Sequence, residues 1–337
     1  MKFLAFLICA CAVLAILAGC QASTSGPLPK SPSFVFAAAG DFGSVDSAAT
    51  LELMSRSGAQ FVLALGDLSY RGASSESTWC DFVKSKIGND LPFELISGNH
   101  EDDYGEDGHI SNFAACLPDR LGVHGSYPEE YYFDYQGLAR FILISPDLTI
   151  DGQHYYYGDG NDHYNWVAST IDEARGAKIP WVIVGMHKPC LSVGAYYCNI
   201  YADLFNLLIE KRVDLVLQAH DHNYQRSKQL ASSAACPAVP IDSFNGACVV
   251  NGGNDGVYPR GAGTVLVIAG TGGGELYDTS PDDSEAGYFA KWMGANVNPR
   301  KGFMRYVVTS KEIRAEFVGS TATSDFADSF AIRGAKN

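Results

Sequence analysis

Five apolar runs in this chain end in side chains that can bind a metal ion, and this recurrence constrains the fold more than any other feature. The clearest run, residues 61–65, is typical of a buried strand and is followed by Gly66, Asp67 and, three residues later, Tyr70. In open α/β sheets, ligands bind at the carboxyl edge of the strands. A carboxylate and a phenol are hard oxygen ligands, which suit a hard cation. This stretch therefore predicts a cation site at a sheet edge.

The other four runs end in the same way. Each residue alone has an ordinary explanation, since acids and asparagine favour turns and a histidine can be a buried core residue. If the strands are neighbours, the side chains converge, and seven candidate ligands are too many for one four-coordinate zinc ion. Two metal ions that share a carboxylate would use them all. The side chains at the five strand ends are Asp41, Asp67 with Tyr70, Asn99 with His100, His187, and His220 with His222.

Taken together, these motifs resemble the pattern of the calcineurin-like metallophosphoesterases, D-x-G, G-D-x-x-Y, G-N-H-[ED], V-x-x-H and G-H-x-H. Tyr70 narrows the resemblance to the small, single-domain purple acid phosphatases, because related phosphodiesterases usually lack this tyrosine. The motifs span residues 41–222, and the order of predicted strands extends the likeness to about residue 332. In this chain they are Asp41-Phe42-Gly43, Gly66-Asp67-Leu68-Ser69-Tyr70, Gly98-Asn99-His100-Glu101, Val184-Gly185-Met186-His187 and Ala219-His220-Asp221-His222.

The resemblance implies a centre of two metal ions bridged by Asp67. His220 and His222 would point apart on a regular strand, so a bend is needed to aim both at metals. The implied catalytic residues are His100, which would face the substrate, and Asn99. The first metal, usually ferric iron in this branch, would be held by Asp41, Asp67, Tyr70 and His222. The second, a divalent iron, zinc or manganese ion, would be held by Asp67, Asn99, His187 and His220.

Two positions depart from the family pattern. Ala219 replaces the usual glycine before the first histidine of the last motif, a small change that we expect only to shift the backbone. Lys188 follows His187, where many relatives carry a second histidine that helps bind phosphate. A lysine could bind phosphate as a point charge, or it could point to solvent, and the sequence leaves both possibilities open.

The charge of the chain limits its partners. With 337 residues, 47% of them hydrophobic, the chain has enough apolar material for one large core. Its formal charge is −14 and no stretch resembles a basic stripe, which argues against a nucleic acid as a bound polyanion. A phosphate ester remains a suitable substrate, because metal ions would supply the local positive charge.

The first twenty residues are typical of an export signal. Lys2 precedes an apolar run over residues 3–17, which is short for a membrane-spanning helix. Residues 17–20 resemble the lipobox of prokaryotic lipoproteins, which implies cleavage before Cys20 and a lipid on its sulfur. An ordinary signal peptide and an N-terminal anchor helix are the alternatives.

These signals divide the chain into three parts. We predict a lipoprotein signal peptide over residues 1–19, a flexible tether over 20–32 and a metallophosphoesterase catalytic domain over 33–333. The predicted location is extracytoplasmic, anchored to the membrane through the lipid, or otherwise secreted or periplasmic.

Six cysteines remain after those of the signal and Cys20, and an even count in an exported chain favours disulfides. Fifteen pairings are possible. We expect sequential pairing, because each bond would then close one local loop. A zinc site is the weaker alternative, since no C-x2-C pair occurs, and free buried thiols are another. The expected pairs are Cys80–Cys116, Cys190–Cys198 and Cys236–Cys248.

The order of predicted elements is βαβα in the first half of the chain and mostly β afterwards. We predict helices over 45–56, 75–87, 161–175 and 202–211, and a polar loop over 101–125 that could cover the site. The fold class that follows is α/β, a four-layer α/β/β/α sandwich with two central mixed sheets and the metals at the carboxyl ends of the strands.

The leading hypothesis is an exported, lipid-anchored acid phosphatase that acts on phosphate monoesters. Two cations about 3.5–4 Å apart can clamp a phosphoryl group and lower the pKa of bound water, and the resulting hydroxide would attack phosphorus. A ferric ion forms hydroxide at lower pH than a divalent ion does, so we expect an acidic optimum. One alternative is a phosphodiesterase or nucleotidase on the same fold. The other is an inert metal-binding surface lipoprotein, which would lack a ligand or His100, and none is missing.

Overall fold

Two large β-sheets form the centre of the computed structural model, which describes residues 32–70 and 74–334. The predicted signal peptide and residues 20–31 of the predicted tether lie outside the described residues. The helices are α1 (Ala48–Arg56), α2 (Glu76–Ile87), α3 (Ile110–Cys116), α4 (Asp162–Gly176) and α5 (Ala202–Glu210), with short 3₁₀ helices at Val45–Ser47, Gly246–Cys248 and Ala286–Tyr288.

Nineteen strands are present among these described residues. They are β1 (Ser33–Ala39), β2 (Phe61–Leu65), β3 (Phe93–Ile96), β4 (His124–Ser126), β5 (Glu130–Tyr135), β6 (Ala139–Ile144), β7 (Thr149–Ile150), β8 (Gln153–His154), β9 (Trp181–Gly185), β10 (Leu215–Gln218), β11 (Tyr224–Ser227), β12 (Gln229–Leu230), β13 (Val249–Asn251), β14 (Val257–Pro259), β15 (Val265–Ala269), β16 (Phe289–Met293), β17 (Gly302–Thr309), β18 (Glu312–Gly319) and β19 (Ser329–Arg333).

Both large sheets are mixed, as predicted. The first has the strand order β14-β19-β18-β17-β1-β2-β3, and the second has the order β16-β11-β15-β10-β9-β6-β5-β4. Strands β1 to β3 run parallel, as do β6, β9, β10 and β15. Ala39 pairs with Ala64 and Leu65 pairs with Ile96, so β1, β2 and β3 end side by side. The residues that follow them are thereby brought to one edge.

Apolar side chains fill the space between the two sheets. Phe36 of β1 stacks on Tyr306 of its own sheet at 4.6 Å and packs edge-on against Phe141 of the second sheet at 5.0 Å. The alternate residues Ala37 and Ala39 belong to the core on the helical side of the sheet. Helix α1 packs on β17 and α4 packs on β6, so helices cover the outer faces. The predicted four-layer sandwich is confirmed, and burial on both faces explains the nearly continuous apolar strands.

The segment 101–125, which the sequence predicts to be a loop, contains helix α3. Tertiary packing explains the difference, because Ile110 and Phe113 are buried and the Phe113 ring packs edge-on against Trp79 of α2 at 5.4 Å. The four predicted helices are present within a few residues of their expected ends, with residues 45–47 forming a 3₁₀ turn before α1. Two buried residues in a polar segment are too weak a pattern to predict a helix of two turns.

All three expected disulfides are present, and the predicted sequential pairing is confirmed. They join Cys80 to Cys116, Cys190 to Cys198, and Cys236 to Cys248, with sequence separations of 36, 8 and 12 residues. The first ties α2 to α3. The second closes the loop between β9 and α5, which borders the candidate site described below.

The packing between the sheets predicts a large effect for Phe36→Ala. We expect the free energy of unfolding to fall by about 3–5 kcal/mol, because the ring is completely buried and its removal leaves a cavity. Urea denaturation followed by circular dichroism would measure this. The same substitution at Phe244, whose side chain is 46% exposed, should cost less than half as much. Equal losses for the two variants would contradict the core assignment of Phe36.

Glu94 is a buried carboxylic acid on β3 with incomplete hydrogen bonding. Its Oε1 accepts the Arg120 N–H at 3.1 Å, and its Oε2 has no hydrogen-bond partner among the described residues. Burial raises the pKa of Glu94 to about 8, against the effect of that N–H bond and with a further contribution from Asp119. Between pH 4.5, the ordinary value, and about 8, the folded state therefore holds a proton that the unfolded state has lost.

Because the unfolded state loses this proton more readily than the folded state, the free energy of unfolding falls as pH rises through that window. Glu94→Gln should remove the effect. We expect the variant to exceed the wild type in free energy of unfolding by roughly 1–3 kcal/mol at alkaline pH, with a smaller difference in acid. Denaturation at a series of pH values would measure the difference. Glu173→Gln, at a side chain that is 66% exposed, is the control. Parallel stability curves for Glu94→Gln and wild type would contradict the prediction.

Candidate metal centre

The seven predicted ligands lie together at the carboxyl ends of five strands. Asp67 belongs to both of two groups whose ligand atoms lie within 4.8 Å of one another, as expected for a bridging carboxylate. Ligands from β1, β2 and β3 of the first sheet thus meet ligands from β9 and β10 of the second. The two groups are Asp41, Asp67 and His222, and Asp67, His187 and His220.

Tyr70 completes the first group. Its hydroxyl oxygen lies 2.7 Å from Asp41 Oδ1, 3.0 Å from Asp67 Oδ2 and 2.7 Å from His222 Nε2. His222 Nε2 and Asp41 Oδ1 are 3.3 Å apart. Burial, followed by Asp41 and Asp67, holds the pKa of Tyr70 well above its ordinary value, so the phenol keeps its proton unless a cation replaces it. Two carboxylates, a phenol and an imidazole therefore converge on one point.

The second group is centred on His187. Its Nε2 lies 3.2 Å from Asp67 Oδ1, 3.2 Å from Asn99 Oδ1 and 3.1 Å from His220 Nδ1. Asn99, which the sequence could also explain as a turn residue, thus presents its amide oxygen to the same point as two imidazoles and a carboxylate. The structure brings together all eight residues predicted for the site, since His100 lies beside Asp67 and Tyr70.

The ring orientation of two histidines is fixed by backbone carbonyls. His187 Nδ1 donates to the Leu65 carbonyl oxygen at 2.7 Å, and His222 Nδ1 donates to that of Glu275 at 2.7 Å. Each bond holds the ring with its Nε2 directed at the centre, which is the arrangement that favours metal binding. The orientation of these two rings is therefore set by the fold of the main chain.

Four site residues have left-handed backbone conformations that side chains other than glycine rarely adopt. They include His220, whose φ of 68° supplies the bend needed to aim both His220 and His222 at the centre. Such conformations cost roughly 1–3 kcal/mol each and persist where the surrounding structure enforces them. The other three are Asp41 at 61°, Asp67 at 51° and Tyr70 at 45°.

Glu101 holds the main chain of two turns that carry residues of the centre. Its carboxylate accepts the N–H groups of Asp67 at 3.0 Å, Leu68 at 2.6 Å and Gly98 at 3.2 Å, and so joins the turns after β2 and β3. Burial, followed by Asp67, raises the pKa of Glu101 to about 8. We assign it no direct role in the reaction. The sequence contains Glu101 within a motif, but its anchoring role depends on contacts 33 to 34 residues away in the chain.

The electrostatics of the centre fit a pair of cations. Asp41 and Asp67 are buried, and no lysine or arginine in the described part of the chain forms an ion pair with either of them. Burial opposes a charged His187, but Asp67 outweighs it and raises the pKa of His187 to about 9. Burial, followed by His187, lowers the pKa of His220 to about 2. Without cations a protonated histidine must balance the carboxylates, whereas two cations would balance them directly.

The two departures from the family pattern have clear structural outcomes. A side chain at Gly40 would place its Cβ 2.5 Å from the Cβ of Ala219, so the glycine opposite makes room for this alanine. Lys188 Nζ donates to the main-chain oxygen of Asp147 at 2.8 Å and lies 3.2 Å from its carboxylate. The lysine is therefore not solvated but held in an ion pair beside the centre.

His100 lies at the open side of the centre. Its Nε2 is 3.7 Å from Asp67 Oδ2, its Nδ1 is hydrogen-bonded to Asp107, and 37% of its side chain is exposed. A cavity of about 430 Å³ opens in front of it. The cavity is lined by Tyr70, Asn99, His100, Tyr104, Gly105, Glu106 and Asp107.

Two tyrosines that the sequence does not point to also border the centre. Tyr196 stacks on the ring of His220, and Tyr277 stacks on the ring of His222. Both lie in loops without a recognisable motif, so no signal in the sequence could have identified them.

Comparison with known proteins identifies the fold family. A family model for calcineurin-like phosphoesterases matches residues 34–224, which is more than half of the chain. The chain belongs to this family. The match contains all the motifs assigned above and confirms the resemblance on which the site was predicted.

Curated relatives of this phosphoesterase agree with the purple acid phosphatase branch. Purple acid phosphatase 21 of Arabidopsis thaliana is 29% identical over 236 residues, which cover 66% of this chain and 51% of the relative. Fe(3+)-Zn(2+) purple acid phosphatase 12 of the same plant is 26% identical and covers 64% and 46%. The chain thus spans about half the length of the curated relatives it matches.

Solved structures show the same fold. Purple acid phosphatase PPD1 from yellow lupin (Lupinus luteus) seeds superposes with a TM-score of 0.67 at 20% identity, covering 90% of this chain and 54% of the lupin protein. GAP50, described as the anchor in the inner membrane complex of Plasmodium, superposes with a TM-score of 0.58 at 15% identity, covering 90% of each chain. The family match, the relative named as an Fe(3+)-Zn(2+) enzyme and the two ligand groups support a dinuclear metal centre in this phosphoesterase.

The shared position of Asp67 predicts that Asp67→Asn loses more metal than any other single substitution at the centre. We expect two metal ions per wild-type chain and fewer than one in the variant, because an amide removes a negative charge from both ligand groups. Elemental analysis of the purified proteins would measure the content. Asp172→Asn, at a side chain that is 61% exposed, should keep the wild-type content. Loss of only one ion from Asp67→Asn would argue against a bridging carboxylate.

Proposed function

We propose that this chain is an exported, lipid-anchored acid phosphatase that hydrolyses phosphate monoesters at a centre of two metal ions. The observation that carries the proposal is the convergence of two ligand groups on the shared carboxylate of Asp67, with a tyrosine in one group only. The family hydrolyses phosphoric ester bonds, and the phenol distinguishes the branch to which the chain's relatives belong.

The ligand sets suggest which ion each group holds. The first set contains two carboxylates and a phenol, hard anionic donors that suit ferric iron. The second contains two imidazoles, an amide and the shared carboxylate, which suit divalent iron, zinc or manganese. A relative named as an Fe(3+)-Zn(2+) enzyme supports this combination. The proposed sets are Asp41, Asp67, Tyr70 and His222 for the first ion, and Asp67, Asn99, His187 and His220 for the second.

The chain's own residues would orient the ester and move one proton. Two bound cations would polarise the phosphoryl group and lower the pKa of bound water. Asn99 presents its amide oxygen to the His187 group, which leaves its N–H₂ to donate to a phosphoryl oxygen. His100, on the open side and held at Nδ1 by Asp107, has its Nε2 available to give a proton to the leaving oxygen.

Export and anchoring rest on other features. Three disulfides are typical of a chain that folds in an oxidising compartment. In the part of the chain that the structure describes, no helix combines the length and apolar character needed to cross a bilayer. The membrane attachment that we propose is a lipid on Cys20, as the lipobox-like residues 17–20 suggest, and Cys20 lies outside the described residues.

Tyr70→Phe tests the proposal. We expect the wild-type protein to hydrolyse p-nitrophenyl phosphate faster in acid than in alkali and to show a visible absorption band from a ferric phenolate. The variant should lose that band and most of its activity, because the ring remains but the ligand oxygen is removed. Tyr156→Phe, whose ring packs on Tyr201, should keep both properties.

Other outcomes would support one part of the proposal and reject another. A colourless wild-type protein with two zinc or manganese ions would retain the phosphoesterase and reject the ferric assignment. A protein that binds no metal after reconstitution, and shows no hydrolysis, would favour the inert surface lipoprotein.

A further inference from the structure

The rings of Tyr196 and Tyr277 cover one side of the centre. Tyr196 stacks on His220 with a centroid distance of 3.6 Å and an angle of 24° between the planes. Tyr277 stacks on His222 at 4.0 Å and 7°. Each tyrosine thus covers one histidine, and the two histidines belong to different ligand groups. Both tyrosines are only partly buried, so the pair lies where the centre meets solvent.

Asp221, the residue between His220 and His222, is hydrogen-bonded to the loop that carries Tyr196. Asp221 Oδ1 accepts the Ala195 N–H at 2.7 Å, and Asp221 Oδ2 accepts the Ser192 hydroxyl. The Cys190–Cys198 disulfide closes the same loop on both sides of Tyr196. The loop that carries this ring is therefore tied to the residue next to His220 in the chain.

Tyr277 is held by the same kind of contact. Its N–H donates to the His222 carbonyl oxygen at 2.8 Å, and its own carbonyl accepts the Ala295 N–H at 2.8 Å. The two tyrosine loops are also joined to each other, because the Ser280 N–H donates to the Val193 carbonyl oxygen at 2.7 Å. The main-chain segments that carry the two tyrosines are therefore tied to each other and to the residues of the centre.

The rings of the two tyrosines converge at the edge of the centre. The ring centroids are 6.3 Å apart, and the two phenols are close enough to influence each other. Burial raises the pKa of both phenols, the two phenols affect each other, and Asp41 and Asp67 contribute to both shifts. A phenol is a hydrogen-bond donor at neutral and acid pH.

A phosphoryl group needs such donors. Bound anions are stabilised by N–H and O–H groups directed at their oxygens. Asn99 and His100 supply donors from the loop after β3 in the first sheet. On the side of the second sheet, Lys188, which follows His187, is already paired with Asp147. Tyr196 and Tyr277 follow β9 and β15 of that sheet, and their hydroxyls are donors without a charge to balance.

We propose that the hydroxyls of Tyr196 and Tyr277 bind the phosphoryl oxygens of the substrate from the second sheet, opposite Asn99 and His100. They perform the task that the sequence suggested for Lys188. This inference rests on the proposed phosphatase function. The alternative is that the rings only pack on the histidines, in which case the hydroxyls are dispensable.

Substitution by phenylalanine separates these two roles, because it removes the hydroxyl and keeps the stacked ring. In the full-length protein with its metals bound, we expect Tyr196→Phe and Tyr277→Phe each to raise KM for p-nitrophenyl phosphate about tenfold, the effect of a hydrogen bond to a charged group. Inhibition by inorganic phosphate should weaken by the same factor, while kcat changes little. The matched control is Tyr197→Phe, in the same disulfide loop and 73% exposed, which should behave as wild type.

Calorimetric titration with inorganic phosphate keeps this test independent of turnover. If the wild type binds phosphate but hydrolyses nothing, the proposed function fails, and weaker phosphate binding by the two variants still supports the tyrosine pair. If the wild type is active and both variants keep KM and phosphate binding within about twofold of it, the inference is overturned. A fall in kcat alone, or a loss of metal from either variant, also overturns it, because the hydroxyls would then act on the transition state or on the centre itself.

Discussion

The carboxylate of Asp67 is the interaction on which the rest of the centre depends, because it alone joins the two ligand groups. Its main-chain N–H is held by Glu101, and its Oδ1 accepts the His100 N–H at 3.2 Å. A Cβ at Gly98 would lie 2.0 Å from that same oxygen, so only glycine allows the turn after β3 to approach so closely. The Asp67 carboxylate, which follows β2, is thereby in close contact with the turn that follows β3.

Metal ions at the centre would make the negative charge of the chain compatible with a phosphate ester as substrate. Asp41 and Asp67 are buried without a basic partner among the described residues, which would be costly if no cation joined them. Cations at this position would reverse the local sign of the potential and attract a phosphate ester to an acidic protein. Lys188, which follows His187 in the chain, is already paired with Asp147.

The sequence predicts the ligand positions well and the surroundings of the ligands poorly. Asp41, Asp67 and His187 could be found because each follows an apolar strand directly, and parallel strands end at one edge. Helix α3, the pKa of Glu94 and the placement of Tyr196 depend on contacts between segments far apart in the chain. A pattern read along one segment carries no record of such contacts, so these features could not be predicted.

Four residues of the centre have left-handed conformations, and the rest of the fold must compensate for their strain. They are Asp41, Asp67, Tyr70 and His220. At roughly 1–3 kcal/mol each, their combined strain is comparable with the whole net stability of a typical domain. A minimal scaffold with a thin core would relax these residues and lose the convergence of their side chains. The double sheet, with apolar residues on both faces of its strands, supplies the packing that holds these four residues in their strained conformations.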